Sequence, residues 1–171
     1  TGGTLVGAAA LRDDLMENVA GAIFVSPNFA MNSAASVILT WPAVRWWGPM
    51  VAGTQRSFEA SNEGHKAYWT NSYPTVALMP MAALVKAVDD TDLGRAKIPA
   101  LFVISDQDKV VSPTKNREVA EEWGGESELI ALTMGEGDDP FSHVIAGDIL
   151  SPGQTDIVVS KMLEWINSVL Q

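Results

Sequence analysis

The sequence contains no cysteine, which excludes a disulfide framework, a thiolate nucleophile and a cysteine-based metal site but does not fix the compartment. It is also poor in positive charge, with 11 Lys and Arg against 21 Asp and Glu and a formal net charge of -10 at pH 7. Nucleic acid and anionic membranes both require a basic face, so neither is an expected partner. No segment approaches the roughly 18 continuous apolar residues of a membrane span. Small or neutral ligands are the expected partners.

The composition that remains is that of a globular domain. Hydrophobic residues make up 47% of the 171 residues and charged residues 19%, a balance that allows a sizeable core. Short apolar runs alternate with amphipathic stretches, which indicates a mostly parallel α/β sheet with flanking helices. The predicted strands are 21–27, 99–108 and 127–134, and the predicted helices are 4–17, 117–126 and 155–170. The apolar side of the first helix is expected to include Leu5, Ala8, Ala9 and Leu15.

One long insertion separates the first two predicted strands. The segment 28–98 is too long for an ordinary connection and too apolar for a disordered loop. They contain two stretches with helical spacing interrupted by proline, so we predict a helical cap over a core formed by 1–27 and 99–171. Aromatic and methionine side chains of this cap, which either pack within it or line a pocket for an apolar acyl group, are the candidate substrate-binding residues: Trp41, Trp46, Trp47 and Met50.

The first residues, "TGGTL", raise the question of what precedes them. Adjacent glycines leading into a helix are typical of the sharp strand-to-helix turn Gly-x-Ser-x-Gly, in which small residues let the helix pack closely. On this pattern a serine stands directly before Thr1, and Gly2 is the second glycine of the motif. Three predicted strands are also fewer than such sheets usually hold. We therefore expect an N-terminal portion of the same fold to precede Thr1.

Acidic and histidine side chains follow two successive predicted strands. Asp106 and Asp108 lie at the polar end of the segment 99–108, just beyond the apolar residues of the predicted strand, and His143 lies in the loop after 127–134. The carboxyl ends of parallel strands meet at one edge of a sheet, where open α/β folds place their ligands. An acid and a histidine at that edge can form the hydrogen bond that fixes the imidazole tautomer. The residues alone leave open which aspartate does so.

The segments "TGGTL", "SDQDKVVSP" and "SHVIAGD" resemble those of serine α/β-hydrolases. The resemblance extends along essentially the whole chain and is closest to the branch of monoacylglycerol lipases, lysophospholipases and carboxylesterases. It implies the α/β-hydrolase fold and the chain order nucleophile, acid, histidine. It selects Asp108 over Asp106 as the acid, because Ser105 occupies the family's small position at the strand end, and it places the family's histidine at His143.

The implied activity is hydrolysis of carboxylic esters. The resemblance further implies that the backbone N–H of Thr1 contributes to the oxyanion hole and that neither a metal nor an organic cofactor is needed. Small apolar esters are the expected substrates, since no Arg or Lys cluster is available to clamp a charged group.

Other interpretations remain open at this point. Thr1 could itself be an N-terminal nucleophile that uses its own amine as base, or the chain could be a non-catalytic, hydrolase-like binding protein. His65 is interpreted as a surface or cap-packing residue. The pairs Asp13–Asp14, Asp89–Asp90 and Asp138–Asp139 are interpreted as solvated acidic turns, because they lack the alternating spacing of a calcium loop.

Overall fold

A computed structural model of the chain describes residues 1–33 and 38–171. Helices and strands alternate along most of it. The helices are α1 (Gly2–Ala9), α2 (Asp13–Met16), α3 (Val44–Ala52), α4 (Glu63–Tyr68), α5 (Leu78–Asp89), α6 (Pro113–Glu122) and α7 (Pro152–Val169), and the strands are β1 (Ala22–Val25), β2 (Gln55–Ser57), β3 (Ser72–Pro74), β4 (Ala100–Ser105) and β5 (Ser127–Leu132).

The main sheet of the described residues has three parallel strands in the order β1-β4-β5. Its register places Phe24 beside Phe102 and Val103 beside Ile130. Every residue of β4 is buried, because this strand lies between two neighbours and is covered on both faces. The three predicted parallel strands are confirmed, and their carboxyl ends share one edge of the sheet.

Each face of the sheet packs into its own apolar cluster. One cluster is aromatic: Phe24 stacks on Phe102 with ring centroids 4.8 Å apart, and Trp123 approaches both rings edge-on. The other cluster contains Leu101 and Val103 from β4 together with Ile145, Val158 and Trp165, the last two from α7. Alternate residues of β4 thus pack against opposite faces of the sheet. This packing holds in place the strand that leads to Asp106 and Asp108.

The first helix differs from its prediction in length and in the face it buries. The expected single helix over 4–17 is two helices, α1 and α2, because Arg12 between them is extended. Leu5 and Leu15 are exposed, whereas Thr4, Gly7 and Ala10 are buried. The small residues face inwards because they allow α1 to lie close to the segment that follows β1.

Gly3 is the position where that close approach is tightest. A Cβ added to Gly3 would stand 2.8 Å from Pro27 Cβ and 3.2 Å from Pro27 Cα, whereas one added to Gly2 would meet nothing within 4 Å. Gly3→Ala is therefore expected to reduce the free energy of unfolding by about 1–3 kcal/mol, as overpacking typically does, and Gly2→Ala by much less. Urea denaturation of both variants measures the difference, and equal losses would contradict the packing argument.

Helices α6 and α7 both begin earlier than predicted. Helix α6 was expected over 117–126 but runs from Pro113 to Glu122, because Ser112 caps it by accepting a hydrogen bond from Lys115 N at 3.2 Å. Helix α7 was expected from 155 but begins at Pro152. In both cases proline occupies the first turn, where its fixed φ and missing N–H suit a helix start.

The described part of segment 28–98 contains three α-helices (α3, α4 and α5), short 3₁₀ helices and the two-stranded antiparallel pair β2–β3. The pair was not predicted, and residues 34–37 of the predicted cap lie outside the described residues. Val88 of α5 and the nearby Leu93 belong to the same cluster as Phe24 and Phe102. The carboxyl-terminal end of the segment is therefore packed against the sheet, and the cap boundaries 28–98 stay a prediction. Among the described helices, none is both long and apolar enough to cross a membrane.

Candidate active site

Asp108 is held in the turn that follows β4. Its backbone N–H donates to Ser105 O at 3.2 Å, and its side chain is buried, with the residue only 4% exposed. One carboxylate oxygen, Oδ1, accepts hydrogen bonds from Val110 N at 2.8 Å and Val111 N at 2.9 Å. The two backbone donors fix the position of the carboxylate and leave Oδ2 for another partner.

That partner is His143. Its Nδ1 lies 2.9 Å from Asp108 Oδ2, and its side chain is 30% exposed while that of Asp108 is 3% exposed. A carboxylate beside Nδ1 holds the proton on that nitrogen, so Nε2 is left as the basic atom. The geometry can therefore support general-base chemistry at Nε2 with a buried acid behind it.

Asp106 has a different environment. Its carboxylate forms a two-point ion pair with Arg117, at 2.9 Å to Nε and 2.7 Å to Nη2, on an exposed surface. These hydrogen bonds from Arg117 hold the pKa of the Asp106 carboxyl below its usual value. The backbone N–H groups of Val110 and Val111 in this turn donate to Asp108, whereas Asp106 pairs with a side chain on the surface.

The segment after β1 supports the Asp108 turn from the other side. Ser112 N donates to Ala30 O at 2.8 Å and Asn32 N to Val110 O at 3.0 Å, and Met31 forms an antiparallel bridge with Val111. The Asn32 amide also donates to Asp108 O at 2.9 Å. This contact was missed from the sequence, because the two residues are 76 positions apart and no local motif links them.

The loop that carries His143 is organised by a second buried aspartate. Asp139, 7% exposed, accepts hydrogen bonds from the backbone N–H groups of Phe141, His143 and Val144 at 2.9–3.1 Å. The interpretation of Asp138–Asp139 as a solvated turn is therefore wrong for Asp139. Within the described residues no group of three or more His, Cys, Asp or Glu side chains is placed to hold a metal ion.

Thr1 stands directly before α1 and borders an open groove. The groove has a volume of about 610 Å³ and is lined by side chains from α5 and the segment before it, among them Tyr73, Leu78 and Met81. A helix follows Thr1 immediately, which is the order expected of a strand-to-helix nucleophile turn. The role of the Thr1 N–H in an oxyanion hole stays a prediction.

The four candidate substrate-binding side chains lie on or near α3 in unequal environments. Trp47 is half-buried and lines an apolar cavity of about 290 Å³ with Leu78 and Met79. Trp41 and Trp46 border a second, more open groove, and Trp46 and Met50 are 76% and 86% exposed. Their assignment to substrate binding stays a prediction, and Trp47 is the least exposed of the four.

His65 packs within the segment as expected. It is 9% exposed, its ring lies 5.4 Å from that of Phe58 and 5.1 Å from that of Trp69, and its Nδ1 accepts a hydrogen bond from Ser61 N at 3.1 Å.

Comparisons with known proteins define the fold. No family model matches the chain, and no curated protein sequence matches it significantly. Solved structures do match. One comes from work on LipS and LipT, two metagenome-derived lipolytic enzymes, at 22% identity and a TM-score of 0.67; another is a soluble variant of monoglyceride lipase from Saccharomyces cerevisiae in complex with a substrate analogue, at 10% identity and a TM-score of 0.61.

Both alignments cover 98% of this chain and 62% of the matched chain. The parallel sheet, its flanking helices and this likeness show that the chain has the α/β-hydrolase fold. The chain spans about three fifths of the length of these structures, both of which are of lipolytic enzymes.

Proposed function

We propose that the protein is a serine hydrolase that cleaves carboxylic esters through a Ser-Asp-His triad, with Asp108 and His143 as its acid and base. The observation that carries the proposal is the 2.9 Å contact between His143 Nδ1 and the Asp108 carboxylate, whose second oxygen is already held by two backbone N–H groups. The nucleophile in this proposal is a serine that precedes Thr1 in the whole protein.

The reaction follows from the atoms of the pair. As the serine Oγ attacks the ester carbonyl, its proton passes to His143 Nε2, and Asp108 stabilises the imidazolium that results. When the C–O bond to the alcohol breaks, His143 returns the proton to the leaving oxygen. Water then attacks the acyl-enzyme in the same way, releasing the acid and restoring the serine.

The start of α1 supports the stabilisation of negative charge in this scheme. The first N–H groups of a helix have no intrahelical acceptor, and the helix dipole favours an anion at that end. The backbone N–H of Thr1, as the residue after the nucleophile, would donate to the oxyanion, with a second donor from the portion of the fold that precedes it.

The substrate we propose is a small ester with an apolar acyl group, as in the monoacylglycerol lipase and carboxylesterase branch. Apolar side chains dominate the cavity beside Trp47 and the groove beside Thr1, and both are lined mostly by residues of the proposed cap 28–98. The matched structures are of lipolytic enzymes, which supports the same class of substrate. Neither a metal nor an organic cofactor takes part in this scheme.

Trp47→Ala should change the preference among acyl chain lengths. A pocket wall contributes binding energy only to the chain that touches it, so kcat/KM for medium-chain esters should fall about 10-fold or more while that for acetate esters stays within about twofold. Trp46→Ala should change the preference less, since Trp46 is largely exposed. Steady-state kinetics on a series of p-nitrophenyl esters measures both, and equal losses for all esters would indicate a structural role for Trp47.

Hydrolysis of short- and medium-chain esters by the purified full-length protein tests the proposal itself. Activity that survives replacement of the expected serine but is lost on replacement of Thr1 would favour the N-terminal threonine nucleophile. A folded protein that binds such esters without cleaving them would favour the non-catalytic binding protein.

A further inference from the structure

Asp139 is a buried carboxylate that the proposed reaction does not use. Both of its oxygens are occupied: Oδ1 accepts from Phe141 N at 3.1 Å, and Oδ2 accepts from His143 N at 3.0 Å and Val144 N at 2.9 Å. Hydrogen bonds to an ionised carboxylate are about twice as strong as those between neutral groups. His143 is therefore held at two points, by Asp139 at its backbone and by Asp108 at its ring.

The same loop is tied to the start of α7. Ser151, fully buried, accepts a hydrogen bond from Asp139 N at 3.1 Å through its hydroxyl oxygen, and the hydroxyl donates to Val144 O. The backbone of residues 139–144 is thus hydrogen-bonded to the side chains of one aspartate and one serine. Alternative positions of the His143 backbone would break several of these bonds at once.

The residue before His143 has an unusual backbone conformation. Ser142 has a φ of 53°, in the left-handed region that a non-glycine residue adopts only when its surroundings impose it. Ser142 N donates to Asp139 O at 2.8 Å, so Asp139 also closes the turn in which the strained residue lies. The strained turn directs the next residue, His143, towards Asp108.

We propose that Asp139 is a positioning residue, which sets the loop so that the His143 imidazole meets Asp108. Its consequence for turnover rests on the proposed function, whereas the contact between the two side chains does not. Catalytic groups lose rate steeply when displaced, and about 1 Å of misplacement can cost 100-fold. We therefore expect Asp139→Asn to lower kcat about 10- to 100-fold and to change KM by less than about twofold.

The experiment observes the histidine ring directly. Residues 1–171 contain two histidines, His65 and His143. In the ¹⁵N-histidine-labelled full-length protein, His143→Gln identifies the ring signals of His143 by their loss, and His65→Gln identifies those of His65. A ring N–H that donates to a buried carboxylate gives a downfield proton resonance protected from exchange with water. We expect Asp139→Asn to lose this resonance of His143 and to keep the signals of His65.

Asp138→Asn is the matched control. Asp138 is the neighbouring carboxylate, and it bonds Gly135 N, Gly153 N and Gln154 Nε2 rather than the histidine segment. The Asp138→Asn variant should keep the downfield resonance of His143 and the wild-type kcat. If Asp139→Asn keeps the His143 resonance as Asp138→Asn does, whatever happens to its thermal stability, the positioning role is overturned.

Two further outcomes are decisive. Should Asp139→Asn fail to fold, Ser151→Ala reports from the other side of the loop: loss of the resonance supports the proposal and full retention overturns it. If the wild-type protein cleaves no ester while Asp139→Asn loses the resonance, the proposed function fails and the positioning role stands.

Discussion

Asp108→Asn should leave the protein folded and reduce turnover by roughly 10⁴-fold, the loss found when a triad carboxylate becomes an amide that holds the wrong tautomer. In the structure the Asp108 Oδ2 atom accepts from His143 Nδ1. An asparagine NH₂ group at that position would donate to Nδ1 instead, so the neutral ring would carry its proton on Nε2 and have no basic nitrogen towards the nucleophile. Steady-state kinetics on the full-length variant, with circular dichroism to confirm folding, measures the loss.

Asp106→Asn is the control for this substitution. It removes a carboxylate two residues away that pairs with Arg117 on the surface, and exposed ion pairs contribute little to stability. Its turnover should stay within about twofold of wild type. A near-normal rate for Asp108→Asn beside a collapsed rate for Asp106→Asn would reverse the assignment of the acid.

His143→Gln is expected to have the largest effect on activity, about 10⁶-fold in kcat, because the nucleophile then has no base and the leaving alcohol no acid. The members of a triad act as a unit, so their losses do not add. The double variant Asp108→Asn with His143→Gln should therefore be no slower than His143→Gln alone. Additive losses in this cycle would show that the two side chains act independently.

The second histidine of the chain provides the matched control. His65→Gln removes a ring packed between Phe58 and Trp69, so it should lower thermal stability while kcat stays within about threefold of wild type. Thermal denaturation together with ester hydrolysis separates the two histidines. A collapse of kcat in His65→Gln at a temperature where the variant is folded would contradict the division of roles.

The sheet was predictable because buried parallel strands are short apolar runs bounded by turn residues. The run that contains β4 was located within a few residues, and all six of its strand residues are buried. The inward face of α1 was not predictable from hydrophobicity, since it depends on Gly3 and Gly7 giving room to Pro27 and Phe29. The pair β2–β3 escaped prediction because its strands have three residues each and lack a buried alternating face.

The candidate site was partly predictable. Asp106, Asp108 and His143 could be placed at one edge of the sheet because they follow strands, and parallel strands bring their carboxyl ends together. The choice of Asp108 over Asp106 came from the resemblance to serine α/β-hydrolases. Asn32 and Asp139 could not be named, for different physical reasons. Asn32 reaches Asp108 O across 76 positions, and Asp139 has the same sequence surroundings as Asp138, from which it differs only through the fold of its loop.

Reaction of the full-length protein with a fluorophosphonate, followed by mass spectrometric mapping of the adduct, tests the triad most directly. Such reagents label a serine whose Oγ has been activated by a neighbouring base. We expect one adduct, on a serine immediately before "TGGTL", whose formation is abolished in His143→Gln and unaffected in His65→Gln. An adduct on Thr1, or no adduct on a preparation that hydrolyses esters, would contradict the proposed triad.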